Sequence, residues 1–231
     1  MLNRLYAPLI ALGLTLAVTG CTILQAAPAA PASERVTIAE PNNLSVLKWE
    51  LMAYLDDGRY EAGIAEVAAQ AKAWVEQRAA QGGKLAIIFD LDETLLSNMK
   101  HIRSMDFGYV PPLWDNWVAS ADCPVIEPVV AVYRAARANN VTVFYMTGRK
   151  TTDAPGTIKN LQLTGLDDYA GLYFKPNDYM DTTQSFKTAT RRKITEDGYT
   201  IIANVGDQHS DLDGGYSERT FKLPNPFYTT K

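Results

Sequence analysis

The chain has 231 residues, 47% apolar and 21% charged, which is enough for one domain of ordinary size with a buried core, with or without an insert. Its 15 glycines, 12 prolines and 10% aromatic content exclude collagen-like, low-complexity and disordered classes, and two cysteines cannot build a disulfide scaffold. A net charge of −4 gives the molecule as a whole no electrostatic reason to seek a nucleic acid polymer or an anionic membrane surface, so an anionic ligand has to be held by a local site.

Residues 1–20 predict a secretory signal. Arg4 precedes an uncharged stretch whose apolar core, Leu9 to Val18, is about half the roughly 20 residues that a spanning helix needs. Val18-Thr19-Gly20-Cys21 resembles the signal of bacterial lipoproteins, which is cleaved before a cysteine that becomes lipidated. The resemblance implies acylation at Cys21, and several acyl chains on one residue satisfy the two-signal requirement for stable anchoring. Thr22 in place of Asp implies the outer membrane, so the chain is expected at the bacterial cell envelope, facing the periplasm or the outside. The alternative is a signal peptide with an incidental cysteine. Residues 21–39 include Ala26-Ala27-Pro28-Ala29-Ala30-Pro31-Ala32 and predict a semi-rigid tether that cannot bury a core. The globular domain is expected over 40–231. Cys123 is then the one cysteine left to pair, and it reads as a small buried hydrophobe.

Leu44, Leu47, Leu51 and Leu55 recur at helical spacing after a cap at Asn42 or Asn43, and Ile64, Val67, Ala68, Ala71 and Val75 do so again before Gly82-Gly83. Leu85 to Phe89 is an unbroken apolar run of strand length, followed by similar runs at Val141 to Met146, Leu172 to Phe174 and Ile201 to Val205. Unbroken runs predict central parallel strands buried on both faces. Helical patterns at about 125–138, 151–163 and 186–197 lie between them, so the spacing predicts an open, mainly parallel α/β sheet of Rossmann-like type flanked by helices. The stretch at about 95–124, with Tyr109, Pro111, Pro112, Trp114, Trp117 and Pro124, breaks the alternation and predicts a small insert after the first strand that covers a site.

Ligands of open α/β sheets bind beyond the carboxyl ends of the strands. The first strand ends in Phe89-Asp90-Leu91-Asp92-Glu93-Thr94. Carboxylates at i and i+2 point to one side of an extended chain, and like charges that close call for a cation between them, such as Mg²⁺. The second ends in Met146-Thr147-Gly148-Arg149, where a hydroxyl and free backbone N–H groups before a helix make an anion cradle. The fourth ends in Gly206-Asp207-Gln208-His209-Ser210-Asp211, with two further acids on a turn that glycine permits.

These three strand ends, in this order, resemble the haloacid dehalogenase superfamily of phosphohydrolases. With Phe221-Lys222-Leu223-Pro224-Asn225-Pro226-Phe227-Tyr228 and Thr157-x-x-Asn160-Leu161, the chain is similar to the subfamily IIIB acid phosphatases, which include plant vegetative storage proteins and bacterial lipoprotein acid phosphatases or 5′-nucleotidases. His209 stands where the plant members usually carry Trp, a departure at the pocket edge that spares the acids. The resemblance implies that Asp90 is the nucleophile that forms an aspartyl-phosphate. It implies that Asp92 is the general acid and then the base for water. It further implies that Thr147, the Gly148 N–H and Lys187 bind the phosphoryl oxygens. Lys187 is chosen because Phe186-Lys187-Thr188 looks like the family's Tyr-Lys-Ser, with Arg191, Arg192 and Lys193 as competitors. Mg²⁺ is expected on the side chains of Asp90 and Asp207 and the backbone carbonyl of Asp92, with Asp211 orienting its waters or coordinating directly. Thr94 is expected to brace the turn.

Trp114 and Trp117 are candidates to stack on a nucleoside or aromatic leaving group, the alternative being packing within the insert. Arg149 reads as a structural ion-pair partner and stays outside the catalytic set. With His101 and His209 as the only histidines, zinc clusters and histidine triads lack the residues they need. The resulting expectation is a Mg²⁺-dependent acid phosphatase acting on phosphomonoesters, with 5′-nucleotides implied by the lipoprotein members. The rivals are a phosphotransferase using the same residues and a non-catalytic storage or binding lipoprotein on the same fold. A glycosidase with paired carboxylates leaves the phosphate cradle unexplained. The oligomeric state is open, the aromatics of the insert being available to a dimer.

Overall fold

The computed structural model of the protein describes residues 37–230, so the expected signal, Cys21 and the run Ala26 to Ala32 lie outside the described residues. Asn43 provides the expected cap: its side chain accepts from the N–H groups of Ser45 and Val46 at 2.9 and 3.4 Å and starts α1 (Leu44–Asp56). Gly58, at φ +80°, makes the turn into α2 (Arg59–Ala79), which buries Tyr60, Ile64, Ala68, Ala71 and Val75 along one stripe.

Among the described residues five strands follow: β1 (Leu85–Phe89), β2 (Thr142–Lys150), β3 (Gly171–Lys175), β4 (Thr200–Gly206) and β5 (Thr220–Lys222). They pair in the order β3-β2-β1-β4-β5, every neighbour parallel, with β1 at the centre. Side chains of β1 alternate between two cores. Leu85, Ile87 and Phe89 pack with α2 and with α5 (Glu127–Ala138), whereas Ala86 and Ile88 pack with Phe144, Met146, Ile201 and Ile194 of α7 (Thr183–Glu196). A strand buried on both faces has no polar side to display, which is why its sequence is an unbroken apolar run.

Three expectations need correction. The run Leu172 to Phe174 is not a central strand: β3 is the sheet edge and its residues are all half-buried. β2 does not end at Met146 but continues to Lys150, with irregular pairing to β3 between Thr147 and Lys150, and the chain then passes through a 3-10 turn (Thr151–Asp153) before α6 (Ala154–Leu163). β5, a strand of three residues that overlaps the start of the Phe221 to Tyr228 motif, was not foreseen, being too short for periodicity to reveal.

The expected insert is present and is stitched shut at its base. The Ser97 N–H donates to the Pro124 carbonyl at 2.8 Å and the Ile126 N–H to the Leu95 carbonyl at 3.0 Å. It carries two short helices, α3 (Met99–Ser104) and α4 (Pro111–Ser120). The insert is seated closely on the sheet domain: a Cβ on Gly156 of α6 would fall 2.3 Å from the Val118 carbonyl oxygen of α4. Cys123 is a buried free thiol, as the sequence suggested.

Candidate active site

Because all five strands are parallel, the residues that leave β1, β2 and β4 gather at one sheet edge. The Asp90 N–H donates to the Val205 carbonyl at 3.0 Å, which fixes the start of the loop after β1 against β4. The Asp90 carboxylate is buried and accepts from the Nζ of Lys187, a buried residue of α7. The same Nζ donates to Asp211 Oδ1 at 2.7 Å. Asp211 lies on the short helix α8 (His209–Leu212), and its Oδ2 accepts the Gln208 N–H at 2.8 Å. Asp207 is held by the side-chain amides of Gln208 and Asn225, at 2.7 and 2.5 Å from its Oδ2. Thr94 is buried beside this group, its Oγ1 3.5 Å from Asp207 Oδ1.

Asp90, Asp207 and Asp211 thus offer carboxylate oxygens within 4.8 Å of one another, all buried. Asp90 and Asp211 share the Lys187 ammonium, and Asp207 has amide partners instead. Burial pushes the Asp90 carboxyl well above its ordinary value, and the charge of Lys187 only partly offsets this. Asp207 is pushed up to about 8 by burial first and by the charge of Asp211 next. Lys187 is held above its ordinary value, because the two carboxylates outweigh the opposing effect of burial. A cluster of hard oxygen donors with surplus negative charge fits a divalent cation of the Mg²⁺ type.

Asp92 has separate partners. Burial raises its pKa, but Arg149 outweighs this by charge and by hydrogen bonds from Nε at 3.0 Å and Nη2 at 2.6 Å, and Asn98 Nδ2 adds another at 2.8 Å, leaving the carboxyl below its ordinary value. Arg149 is buried and also donates to Thr157 Oγ1 at 2.9 Å. Asp90 and Asp92 both line one cleft, as the i, i+2 spacing predicted. Lys187 pairs with Asp90 and Arg149 with Asp92, and the Asp92 side chain lies outside the three-acid cluster.

The cleft has a volume of about 600 Å³ and is walled by the insert. Gly148 and Lys187 line it. Thr147 is fully buried, its Oγ1 accepting the Arg149 N–H at 3.1 Å and standing 3.5 Å from Asp92 Oδ2. Trp114 lines the cleft with Tyr109 and His101, so it remains a stacking candidate. Trp117 does not line it. The indole of Trp117 stacks on the His101 ring at 5.8 Å between centroids and donates its N–H to Asn98 Oδ1 at 2.8 Å, so packing, not substrate stacking, explains this residue.

Sequence reasoning missed Asn98, Glu93 and Tyr228. Glu93 sits at φ +52°, fully buried, accepting from the Asn98 N–H and the Tyr228 hydroxyl at 2.6 Å each. Burial and then the Asp92 charge push its carboxyl up to about 7. Glu93 stands in the strand-end motif Asp90-Leu91-Asp92-Glu93-Thr94, where the neighbouring acids drew the assignment, and no local pattern marks Asn98.

A parallel α/β sheet with acids at the ends of its first and fourth strands and a lysine reaching in from the helix before the fourth defines the haloacid dehalogenase class of site. The chain belongs to the HAD superfamily, subfamily IIIB (acid phosphatase), whose family model matches residues 19–231. Acid phosphatase 1 of Solanum lycopersicum is 34% identical over 151 residues, 63% of this chain and 59% of the relative. Vegetative storage protein 1 of Arabidopsis thaliana is 30% identical over 145 residues, 61% of this chain and 54% of the relative. The chain therefore spans between half and two thirds of the length of these curated relatives. Among solved structures, the class C acid phosphatase of Bacillus anthracis shares the fold with a TM-score of 0.66 at 22% identity, covering 80% of this chain and 87% of that one.

Proposed function

We propose that the protein is a divalent-metal-dependent acid phosphatase that hydrolyses phosphomonoesters through an aspartyl-phosphate on Asp90. The observation that carries this reading is the buried Lys187 ammonium bridging Asp90 and Asp211 at the end of β1, beside Asp207. Asp90, pinned by its backbone at the cleft, attacks phosphorus while the ester oxygen departs with a proton from Asp92. Asp92 then takes a proton from water, which attacks phosphorus, releases phosphate and restores the Asp90 carboxylate. Lys187 and the Gly148 N–H hold the phosphoryl oxygens, with Thr147 behind them fixing the loop through the Arg149 N–H. Arg149 and Asn98 hold Asp92 at the cleft wall. Asp90, Asp207 and the Asp92 carbonyl, with Asp211 beside them, would hold a Mg²⁺ ion, which would supply positive charge to neutralise the phosphoryl oxygens.

The wall of the cleft bears on the class of leaving group. Trp114 and Tyr109 offer aromatic faces to a nucleoside, which supports 5′-nucleotides as the substrate class. For location we propose the bacterial envelope, with residues 1–20 as a cleaved signal, Cys21 lipidated and residues 21–39 as the tether; the support is the Val18 to Cys21 pattern. The test is phosphate release by the full chain in detergent from 5′-nucleotides, 4-nitrophenyl phosphate and alkyl phosphates, with Mg²⁺ or EDTA, beside Asp90→Asn. Metal-dependent turnover that Asp90→Asn abolishes supports the reading. Inactivity of both proteins from pH 4.5 to 8 turns it toward the storage reading that the vegetative storage relatives suggest.

A further inference from the structure

Asn98 donates to the same Asp92 oxygen that Arg149 holds, and it is fully buried at the base of the insert. A side-chain amide has a donor end and an acceptor end that differ little in shape, so its partners decide which way it faces. Toward Asp92 the amide must present N–H; its Nδ2 lies 2.8 Å from Asp92 Oδ1 and 3.2 Å from Glu93 Oε2. The reversed amide would set a carbonyl oxygen against two carboxyl groups. What enforces the observed orientation is on the other end. The indole N–H of Trp117 is a donor only, and it reaches Asn98 Oδ1 at 2.8 Å. The Cys123 thiol, a weak donor, stands 3.3 Å from the same oxygen.

Trp117 belongs to α4, in the insert, whereas Asp92 belongs to the loop after the central strand. The tryptophan is fixed in turn: its ring stacks on His101 of α3, and its helix meets α6 at Gly156. We propose that Trp117 is a positioning residue for the general acid: by seating its N–H on Asn98, the insert orients the amide that holds Asp92 toward the leaving-group oxygen. This inference rests on the reading of Asp92 as the general acid. It makes the insert part of the proton-transfer machinery as well as a wall of the cleft.

A misplaced acid harms departure of an alkoxide, which must be protonated, far more than departure of nitrophenolate, which leaves as an anion. A loss of fold harms both alike. The test measures kcat/KM, which covers the steps up to departure of the leaving group, for 4-nitrophenyl phosphate and glycerol 1-phosphate with the full chain. Trp117→Phe keeps a ring against His101 and removes the N–H. A second variant, with 3-benzothienylalanine at position 117, keeps the bicyclic shape and removes only the donor. General acid catalysis contributes about 10²- to 10⁴-fold, so both variants are expected to lose about tenfold or more on glycerol 1-phosphate and less than about threefold on 4-nitrophenyl phosphate. Equal losses on the two substrates, or no loss with 3-benzothienylalanine, overturn the proposal. Asp92→Asn separates the two levels: if it retains wild-type activity on glycerol 1-phosphate, the reading of Asp92 as the acid fails, whereas loss there with intact Trp117 variants sinks only the positioning role.

Discussion

Gly206 and Asp211 are in such close contact that a Cβ on the glycine would lie 2.5 Å from both the Cβ and the Oδ2 of the aspartate. The last residue of β4 therefore has no side chain because the acid that bridges to Lys187 occupies that space. Gly206→Ala must push Asp211 out of place. Overpacking of this kind costs about 1–3 kcal/mol, and the variant is expected to lose that much in urea unfolding and most of its turnover. Gly148→Ala is the contrast, since a Cβ there meets nothing closer than Thr183 Cγ2 at 3.6 Å, and its stability should stay within about 0.5 kcal/mol of wild type.

Lys187→Met leaves Asp90 and Asp211 buried and facing each other without their shared ammonium. Removing one partner of a buried ion pair costs about 3–5 kcal/mol. Burial already raises the folded-state pKa of Asp90, and loss of the lysine raises it further. A group with a raised folded pKa stabilises the fold at low pH and ceases to do so as pH rises through that value, so the penalty should be largest at neutral pH and smaller at pH 5. Thermal unfolding at the two pH values checks the sign. Added Mg²⁺ is expected to recover part of the loss, by binding the folded state alone.

Arg149→Gln removes the cation whose charge and hydrogen bonds outweigh burial at Asp92. Burial then dominates, and the Asp92 carboxyl rises. In the wild type the proton that the leaving group needs is present only on the acid side; in the variant it persists to higher pH. The pH profile of kcat/KM for an alkyl phosphate should therefore shift its limb upward, on a lower absolute rate. An unchanged limb contradicts the assignment. Arg149→Lys does not rescue, because a single ammonium cannot reproduce the Nε and Nη2 fork on Asp92 together with the Nη1 contact to Thr157.

Cys123 is buried, and burial pushes its thiol up to about 11. At pH 8 the native protein should leave it unmodified by iodoacetamide for hours, while protein unfolded in guanidinium reacts within minutes. Rapid labelling of the native chain would show that the base of the insert opens readily.

Much of the fold was legible because its signals are local. An apolar run such as Leu85 to Phe89 reports a strand buried on both faces, and Gly82-Gly83 before it and Asp90 after it report its ends. The run Leu172 to Phe174 misled because an edge strand packed on one side carries the same short apolar pattern. In the site, the acids were readable from their places at the strand ends, and Lys187 from the resemblance of Phe186-Lys187-Thr188 to the family's pattern. Trp117 was left open between stacking and packing, and Asn98 passed over, because their roles depend on contacts between residues 19 apart in an insert whose path no periodicity fixes. Tyr228 reaches Glu93 across 135 residues, a relation that only the folded sheet creates.

The central claim is that Asp90 carries the phosphoryl group during turnover. It is tested most directly by acid-quenching the full chain during hydrolysis of a phosphomonoester with Mg²⁺ present and mapping the phosphorylated peptide by mass spectrometry. The account predicts one hydroxylamine-labile phosphoryl group on Asp90, absent from Asp90→Asn. A phosphoryl group on another residue, or wild-type hydrolysis by Asp90→Asn with no labelled peptide, would contradict it.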